Sequence, residues 1–438
     1  MAKCLFPVSV KVDMGVSTPV SALKFRNIRP YKYDTIEVPC GKCINCLKNR
    51  QNALASRFYA EAEKSGRLSF VTLTYNDEHL PLASSTYFVD KRTGEYIRKP
   101  LELLQEDGFF KMVNKPEIIE NVSLDLRKEI LRIKASNKPR YLDVPIFEDN
   151  DVIYLSRVTP SCNRKDVRLW LKASRVAFER KYGTKLVFKY ACVEEMGPRT
   201  CRPHYHILFF GLNKDEVRFL VDRWSYGFTY VEYVNRVNED NSDGFYKVSR
   251  YISKYMTKGV FECPSVKDKC AEKPRLFQSK GIGSSLVDKL RGYMCAFDMY
   301  GKYDLDTLYS PVLGRVLSES ELSQLVAEIP KRLVYHVNDK ITLPVPCCVR
   351  EKVFKRENPT DKTKKISTTI FALVSDFVRS QLVGLRRQEF EEFLAGYPPG
   401  EYDKACVEFE VRKKTYSQIE NEVGMSNLQA YYGRNSYF

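Results

Sequence analysis

Histidine is scarce in this chain: four in 438 residues, at His79, His204, His206 and His336. Tryptophan is scarcer still, with two. No apolar run approaches the ~20 residues of a membrane-spanning helix, so no membrane partner is expected. The N-terminal MAKCLFPVSVK is too short and mixed for a secretory signal, which points to a non-secreted protein. No G-x-x-x-x-G-K-[ST] occurs, and neither GKC at 41–43 nor KGIGSS at 280–285 fits it, so no helicase motor is expected. The thirteen cysteines are an odd number. Without an export signal they read as reduced thiols or metal ligands, not a disulfide framework.

What is abundant is aromatic and basic. With 28 Tyr and 25 Phe the chain can bury a sizeable core, which excludes global disorder. Lys and Arg number 71 against 55 Asp and Glu, a net +16. Such a surplus favours a polyanionic partner, most often nucleic acid, over a merely solubilising surface. The length fits two or three domains, or one with insertions.

Along the chain, NALASRFYAEAEKSG has Ala55, Phe58, Tyr59 and Ala62 at helical spacing, with Gly66 as a stop. LSFVTLTY (68–75) is rich in β-branched and aromatic residues and reads as a strand. Residues 82–155 look irregular and charged, an insertion on the scaffold with weak periodicity and some disorder. A helix follows on Val167, Trp170, Leu171, Ser174 and Phe178, capped by Asn163 or Asp166 and closed by Gly183. Between Arg164 and Lys189 nine basic residues face two acidic ones, either a solvated helix face or phosphate contacts. KLVFKYACVEE (185–195) and HYHILFFG (204–211) read as strands, with MGPRTCRP turning between them. Asn213 to Gly227 reads as a helix, 228–234 as a strand and 245–257 as a helix. The order indicates an α+β fold, a central antiparallel sheet with packed helices. Further helices are expected at 317–334, 370–395 and 413–432, giving a mainly helical C-terminal extension. The resulting division is 1–66, a Cys-containing segment and helix; 67–260, the sheet domain with the 82–155 insertion; and 261–438, the extension.

Three elements carry chemistry. His204 and His206 are two apart in a strand, so both imidazoles face one side of the sheet, close enough to share a divalent ion. Imidazole suits Mn, Zn, Cu, Ni or Fe, and oxygen ligands suit Mg and Mn. Glu195 ends the preceding strand, and a hairpin-like return brings it beside the pair. Glu194 competes for that place, because parity depends on register. Third, Tyr251 and Tyr255 are i and i+4 on a helix and share a face, with Lys254 on the flank. A phenolate can attack a phosphodiester and keep its bond energy in a covalent intermediate. Taken singly, each element has a structural alternative: packed strand histidines, a charged strand end, an aromatic stripe in the core.

In combination, the order Glu, H-x-H, Y-x-x-x-Y resembles the HUH endonuclease superfamily. PCGKCINCLKNR, FVTLTYNDEHLP, RPHYHILFFG, RYISKYMTKG and SKGIG, in that order, resemble the replication initiators of small single-stranded DNA phages, the gokushovirus-like branch of the Microviridae. The resemblance covers about residues 1–300. It implies an HUH endonuclease core in which Glu195, His204 and His206 hold a divalent metal (Mg or Mn). It implies that Tyr251 and Tyr255 are the nucleophiles of rolling-circle replication, giving a 5′-phosphotyrosine and later strand joining. It also implies single-stranded DNA and origin DNA as partners, host helicase and DNA polymerase as helpers, and the cytoplasm of a bacterial host. Tyr251 and Lys254 also form Y-x-x-K, the spacing of single-tyrosine initiators, in which Tyr255 would be packing. The rival readings are a non-enzymatic basic nucleic-acid binder and another HUH nuclease, a transposase or relaxase.

Cys40, Cys43 and Cys46 form a tight C-x-x-C-x-x-C run. With Cys4 they make four thiolates, the number a structural zinc takes. The alternative is reduced cysteine at the start of a helix. The remaining cysteines, Cys347 and Cys348 among them, read as packing residues.

Overall fold

The computed structural model of the chain describes residues 4–11, 35–94, 96–97, 117–132, 141–148, 152–197, 202–240, 242–258, 275–289, 309–310, 314–332, 334–337, 341–357, 365–367, 388–398 and 401–434. It divides into two units, Met1–Glu61 with Gly283–Phe438, and Ala62–Ile282.

The first unit opens with β1 (Val8–Lys11), paired antiparallel with β2 (Thr35–Val38). Helix α1 (Ile44–Ser65) follows and runs on into the second unit for its last turn. It starts earlier than the Ala55 periodicity predicts. Ile44 and Leu47 are buried and extend the same apolar face back toward the cysteine run.

The second unit holds β3 (Leu68–Thr74), β4 (Leu82–Asp90), β5 (Tyr96–Ile97), β6 (Glu117–Ile118), α2 (Leu124–Arg132), β7 (Leu142–Glu148) and β8 (Val152–Pro160). Then come α3 (Arg164–Tyr182), β9 (Lys189–Met196), β10 (Pro203–Phe210), α4 (Lys214–Val221), β11 (Thr229–Val234), α5 (Gly244–Lys258) and β12 (Leu276–Gln278). The strands form two antiparallel sheets, ordered β11-β3-β10-β9-β12 and β5-β4-β8-β7, with β6 beside β4. The fold is α+β with a central antiparallel sheet, as expected.

The second sheet corrects the expectation of an irregular segment at 82–155. All nine residues of β4 pair with β8, from Leu82 opposite Pro160 to Asp90 opposite Val152. The two strands are far apart in sequence, so neither carries a local turn signal that would announce the partner. Their Ser and Thr residues also blur the alternation on which strand assignment depends.

One face of the central sheet carries the core. Strand alternation sends Val71, Leu73, Tyr205, Ile207 and Phe209 to this face, against Val167, Trp170 and Leu171 of α3 and Val217, Leu220 and Val221 of α4. Trp170 Nε1 donates to the Leu220 carbonyl at 3.0 Å, which joins the two helices. Asn163 caps α3, its side chain accepting from the Lys165 N–H, and Gly183 closes the helix in the left-handed conformation. Asn213 and Glu216 make a reciprocal capping box on α4, which ends at Val221, short of the expected Gly227. Gly227 itself sits in a turn where an added Cβ would lie 2.4 Å from the Thr74 carbonyl oxygen, so only glycine lets β11 come this close to β3.

Polar groups cross this core in a satisfied chain. The Asn163 N–H donates to Tyr205 Oη at 2.7 Å, the Tyr205 and Tyr75 hydroxyls are 3.2 Å apart, and Tyr75 donates to Asp166 Oδ2 at 2.8 Å. Burial pushes both phenols well above the usual tyrosine range. Burial also raises the Asp166 carboxyl, against the lowering effect of the Tyr75 hydrogen bond.

Past residue 283 the first unit resumes with α6 (Glu319–Arg332), α7 (Cys347–Phe354) and α8 (Tyr402–Arg434), and with small hairpins such as Val334–His336 on Thr342–Pro344. The helices expected at 317–334 and 413–432 fall within α6 and α8. Most of the one expected at 370–395 lies outside the described residues. Cys348 is exposed and is not a packing residue. α8 packs on the start of α1: Asn421 Oδ1 accepts from the Ile44 N–H at 3.0 Å, and a Cβ on Gly424 would meet Ile44 Cγ1 at 2.9 Å.

Candidate active site on the histidine face of the central sheet

The alternation that buries Tyr205 and Ile207 turns His204 and His206 to the opposite face. Register then selects the carboxylate. His204 lies directly across from Glu195 on β9, and Glu195 Oε2 is 2.7 Å from His206 Nε2. Glu194 points the other way. Only 1% exposed, it takes a two-pronged ion pair from Arg164, Nε to Oε1 at 2.7 Å and Nη2 to Oε2 at 3.0 Å, and accepts the Arg275 N–H.

His206 is 9% exposed and held on every side. Its Nδ1 is 3.1 Å from Thr72 Oγ1 on β3. Phe70 stacks on it with ring centroids 5.7 Å apart, and Tyr255 stacks on it at 4.5 Å. A proton on Nδ1 directed to Thr72 leaves the Nε2 lone pair facing Glu195.

Helix α5 brings the tyrosines over this face. Tyr255 Oη donates to Tyr251 Oη at 2.6 Å, with the rings edge to face at 5.3 Å, and Tyr251 also meets Phe70 edge-on. Four of the predicted residues are thus linked in a line of contacts: Glu195, His206, Tyr255 and Tyr251. His204 lies half-buried on the same sheet face, and Lys254 is half-buried on the flank of α5. Pro198 to Cys201, in the expected turn, lie outside the described residues.

Phe70 and Thr72 belong to the site as much as the histidines, and their signal was present in FVTLTY. Every second residue there, Phe70, Thr72 and Thr74, takes the face opposite Val71, Leu73 and Tyr75. Two exposed aromatics extend the same rows to the sheet edge. Phe228 is hydrogen-bonded across from Thr74 and is 68% exposed; Tyr230 is across from Thr72 and is 61% exposed. One row therefore reads Phe228, Thr74, His204, Glu195, and the next Tyr230, Thr72, His206, Val193.

The basic helix α3 does not border this site. Its buried side packs on the core face of the sheet, away from the histidines. Arg164 neutralises Glu194, and Arg175 covers the Phe188 ring at 4.3 Å.

In the other unit the four cysteines also converge. Their Sγ atoms all lie within 4.8 Å of one another.

Comparison with known proteins bears on the same stretch. A family model for replication-associated proteins of the ORF2 type matches residues 153–260, from β8 through α5, and so takes in Glu195, both histidines and both tyrosines. The chain is also 28% identical over 164 residues to "Replication-associated protein ORF2" of Spiroplasma virus 4. That alignment covers 35% of this chain and 48% of the relative, about half its length. No solved structure matches. Among the described residues, no helix is long and apolar enough to cross a membrane.

Proposed function

We propose that this chain is a phage rolling-circle replication initiator of the HUH type, which nicks one DNA strand by tyrosine attack and later rejoins it. The observation that carries the reading is the stack of Tyr255 on His206 at 4.5 Å, with the Tyr251 hydroxyl 2.6 Å from that of Tyr255. It sets a pair of nucleophiles against a histidine that already contacts a carboxylate. The similarity of residues 153–260 to replication-associated proteins supports the same reading.

Glu195, His204 and His206 would hold one divalent ion, Mg or Mn. The donors fit: one carboxylate and two imidazoles share a face, and the Thr72 contact orients His206 with Nε2 toward Glu195. Such an ion polarises a phosphodiester and offsets the charge of its pentacoordinate transition state.

The tyrosines do the covalent work. A hydrogen bond from Tyr255 stabilises the Tyr251 phenolate, which makes Tyr251 the first nucleophile. Tyr251 Oη forms a bond to phosphorus as the bond to O3′ breaks. The departing O3′ takes a proton and becomes the 3′-hydroxyl that primes synthesis, while the 5′ end stays on tyrosine. After one round Tyr255 attacks the regenerated origin, and the new 3′-hydroxyl displaces Tyr251 from the first end, closing a circle. Phe228 and Tyr230, exposed in line with the histidines, offer flat surfaces on which bases of the single strand stack. Unwinding and synthesis fall to host helicase and polymerase, in the cytoplasm of a bacterial host.

The test uses the purified full chain, Mn²⁺ and single-stranded oligonucleotides tiling the genome that encodes it. One oligonucleotide is cleaved at a single site, and His206→Ala abolishes cleavage while the affinity for DNA stays near wild type. Equal cleavage by His206→Ala would overturn the assignment. Binding without cleavage of any oligonucleotide by the wild type would favour a non-enzymatic binder.

A further inference from the structure

We propose that Cys4, Cys40, Cys43 and Cys46 form a tetrathiolate site for a structural zinc ion, separate from the histidine site and independent of its chemistry. The sulfur geometry carries it. Zinc in a tetrahedron of thiolates at ~2.3 Å sets neighbouring sulfurs ~3.8 Å apart. Here Cys4 and Cys43 are 3.8 Å apart, Cys40 and Cys46 are 4.0 Å apart, and no pair exceeds 4.8 Å. Two disulfides do not account for these separations, because a disulfide bond is only ~2.05 Å long.

The backbone around the sulfurs is arranged for anionic acceptors. The Leu5 N–H points to Cys43 Sγ at 3.5 Å and the Cys40 N–H to Cys4 Sγ at 3.3 Å. Cys40 Sγ receives two, from Lys42 at 3.4 Å and Cys43 at 3.3 Å. A neutral thiol is a poor acceptor; a metal-bound thiolate uses such bonds to disperse its charge. Gly41, at φ +73°, supplies the left-handed residue that turns these N–H groups back onto the sulfur.

The ligands come from three places in the fold. Cys4 precedes β1, Cys40 follows β2, and Cys43 and Cys46 stand at the start of α1, both buried. One ion would close the β1–β2 hairpin at its base and fix it to α1. Loading replaces four S–H bonds with four Zn–S bonds and releases the protons to solvent, so no redox partner is needed.

The test is metal analysis of the full chain, purified without chelator. About one zinc per chain is expected, falling to about none in Cys43→Ser with a lowered unfolding temperature, and unchanged in the His204→Ala/His206→Ala double variant. Because Cys43→Ser can fail to fold, the wild type is also loaded with Co²⁺. Thiolate-to-cobalt charge transfer with intense tetrahedral d–d bands is expected, bleached by one equivalent of zinc. No stoichiometric metal, iron in place of zinc, zinc lost with the histidines, or an octahedral cobalt spectrum would each overturn the proposal. None of these readouts depends on DNA cleavage, so this site and the nicking reading can fail separately.

Discussion

Glu194 and Glu195 are neighbours in the chain and occupy opposite faces of the sheet: one is locked to Arg164 at 2.7 Å, the other reaches His206 at 2.7 Å. Two adjacent carboxylates of the same strand therefore have different work. Removing Glu194 strands the Arg164 charge in a mostly buried place, a loss of about 3 kcal/mol. Glu195→Gln keeps a hydrogen-bonding group beside His206 and should change stability by no more than about 1 kcal/mol. In cleavage the order reverses. Glu195→Gln should cost more than the roughly 100-fold typical of losing a metal's outer-shell partner. Chemical denaturation and cleavage rates on both variants check this. A fold unaffected by Glu194→Ala would contradict the assignment of the pair.

The edge aromatics make a prediction about binding. Each base stacked on an aromatic ring is worth about 1–3 kcal/mol, so Phe228→Ala and Tyr230→Ala should each weaken single-strand affinity by about 5- to 100-fold. Stacking involves no counterion release, so the salt dependence of binding should keep its slope. Fluorescence titrations across a salt series separate the two terms. A reduced slope would mean that these positions act through phosphate contacts.

Asp166 makes a prediction about pH. Its carboxyl is raised above the ordinary aspartate value of 3.8, chiefly by burial. In the folded chain it therefore keeps its proton to higher pH than in the unfolded chain. Its contribution to stability is full below 3.8 and is lost as pH rises through the raised value. Asp166→Asn cannot ionise, so the stability of the variant relative to wild type should improve across that window and then level off. Denaturation midpoints measured from about pH 3 to about pH 8 check the sign; a relative loss for the variant over the window would contradict it.

Much of this was legible before the structure. His204 and His206 share a face because strands alternate, and Asn163, Gly183 and Asn213 mark helix ends because their side chains or backbone freedom suit those positions. The choice between Glu194 and Glu195 needed register, which is set by pairing and not by local sequence. The second sheet was hidden for the same reason: β4 finds its partner in β8, across a long and charged stretch. Thr72 could have been singled out as a polar residue in an otherwise apolar strand, but its use, orienting His206, is a relation between two distant segments. The basic run on α3 looked like a phosphate-binding surface, and packing turned it to the other side of the sheet.

The central claim is that the Tyr251 and Tyr255 pair attacks DNA over the histidine face. Its most direct test is a cleavable single-stranded oligonucleotide labelled at the 3′ end, incubated with the full chain and Mn²⁺ and resolved on a denaturing gel. A band shifted by the mass of the protein should form with wild type, persist in reduced amount in Tyr251→Phe and in Tyr255→Phe, and vanish in the double variant. Loss in Tyr251→Phe alone would make Tyr255 a packing residue. A covalent band that survives the double variant would contradict the account outright.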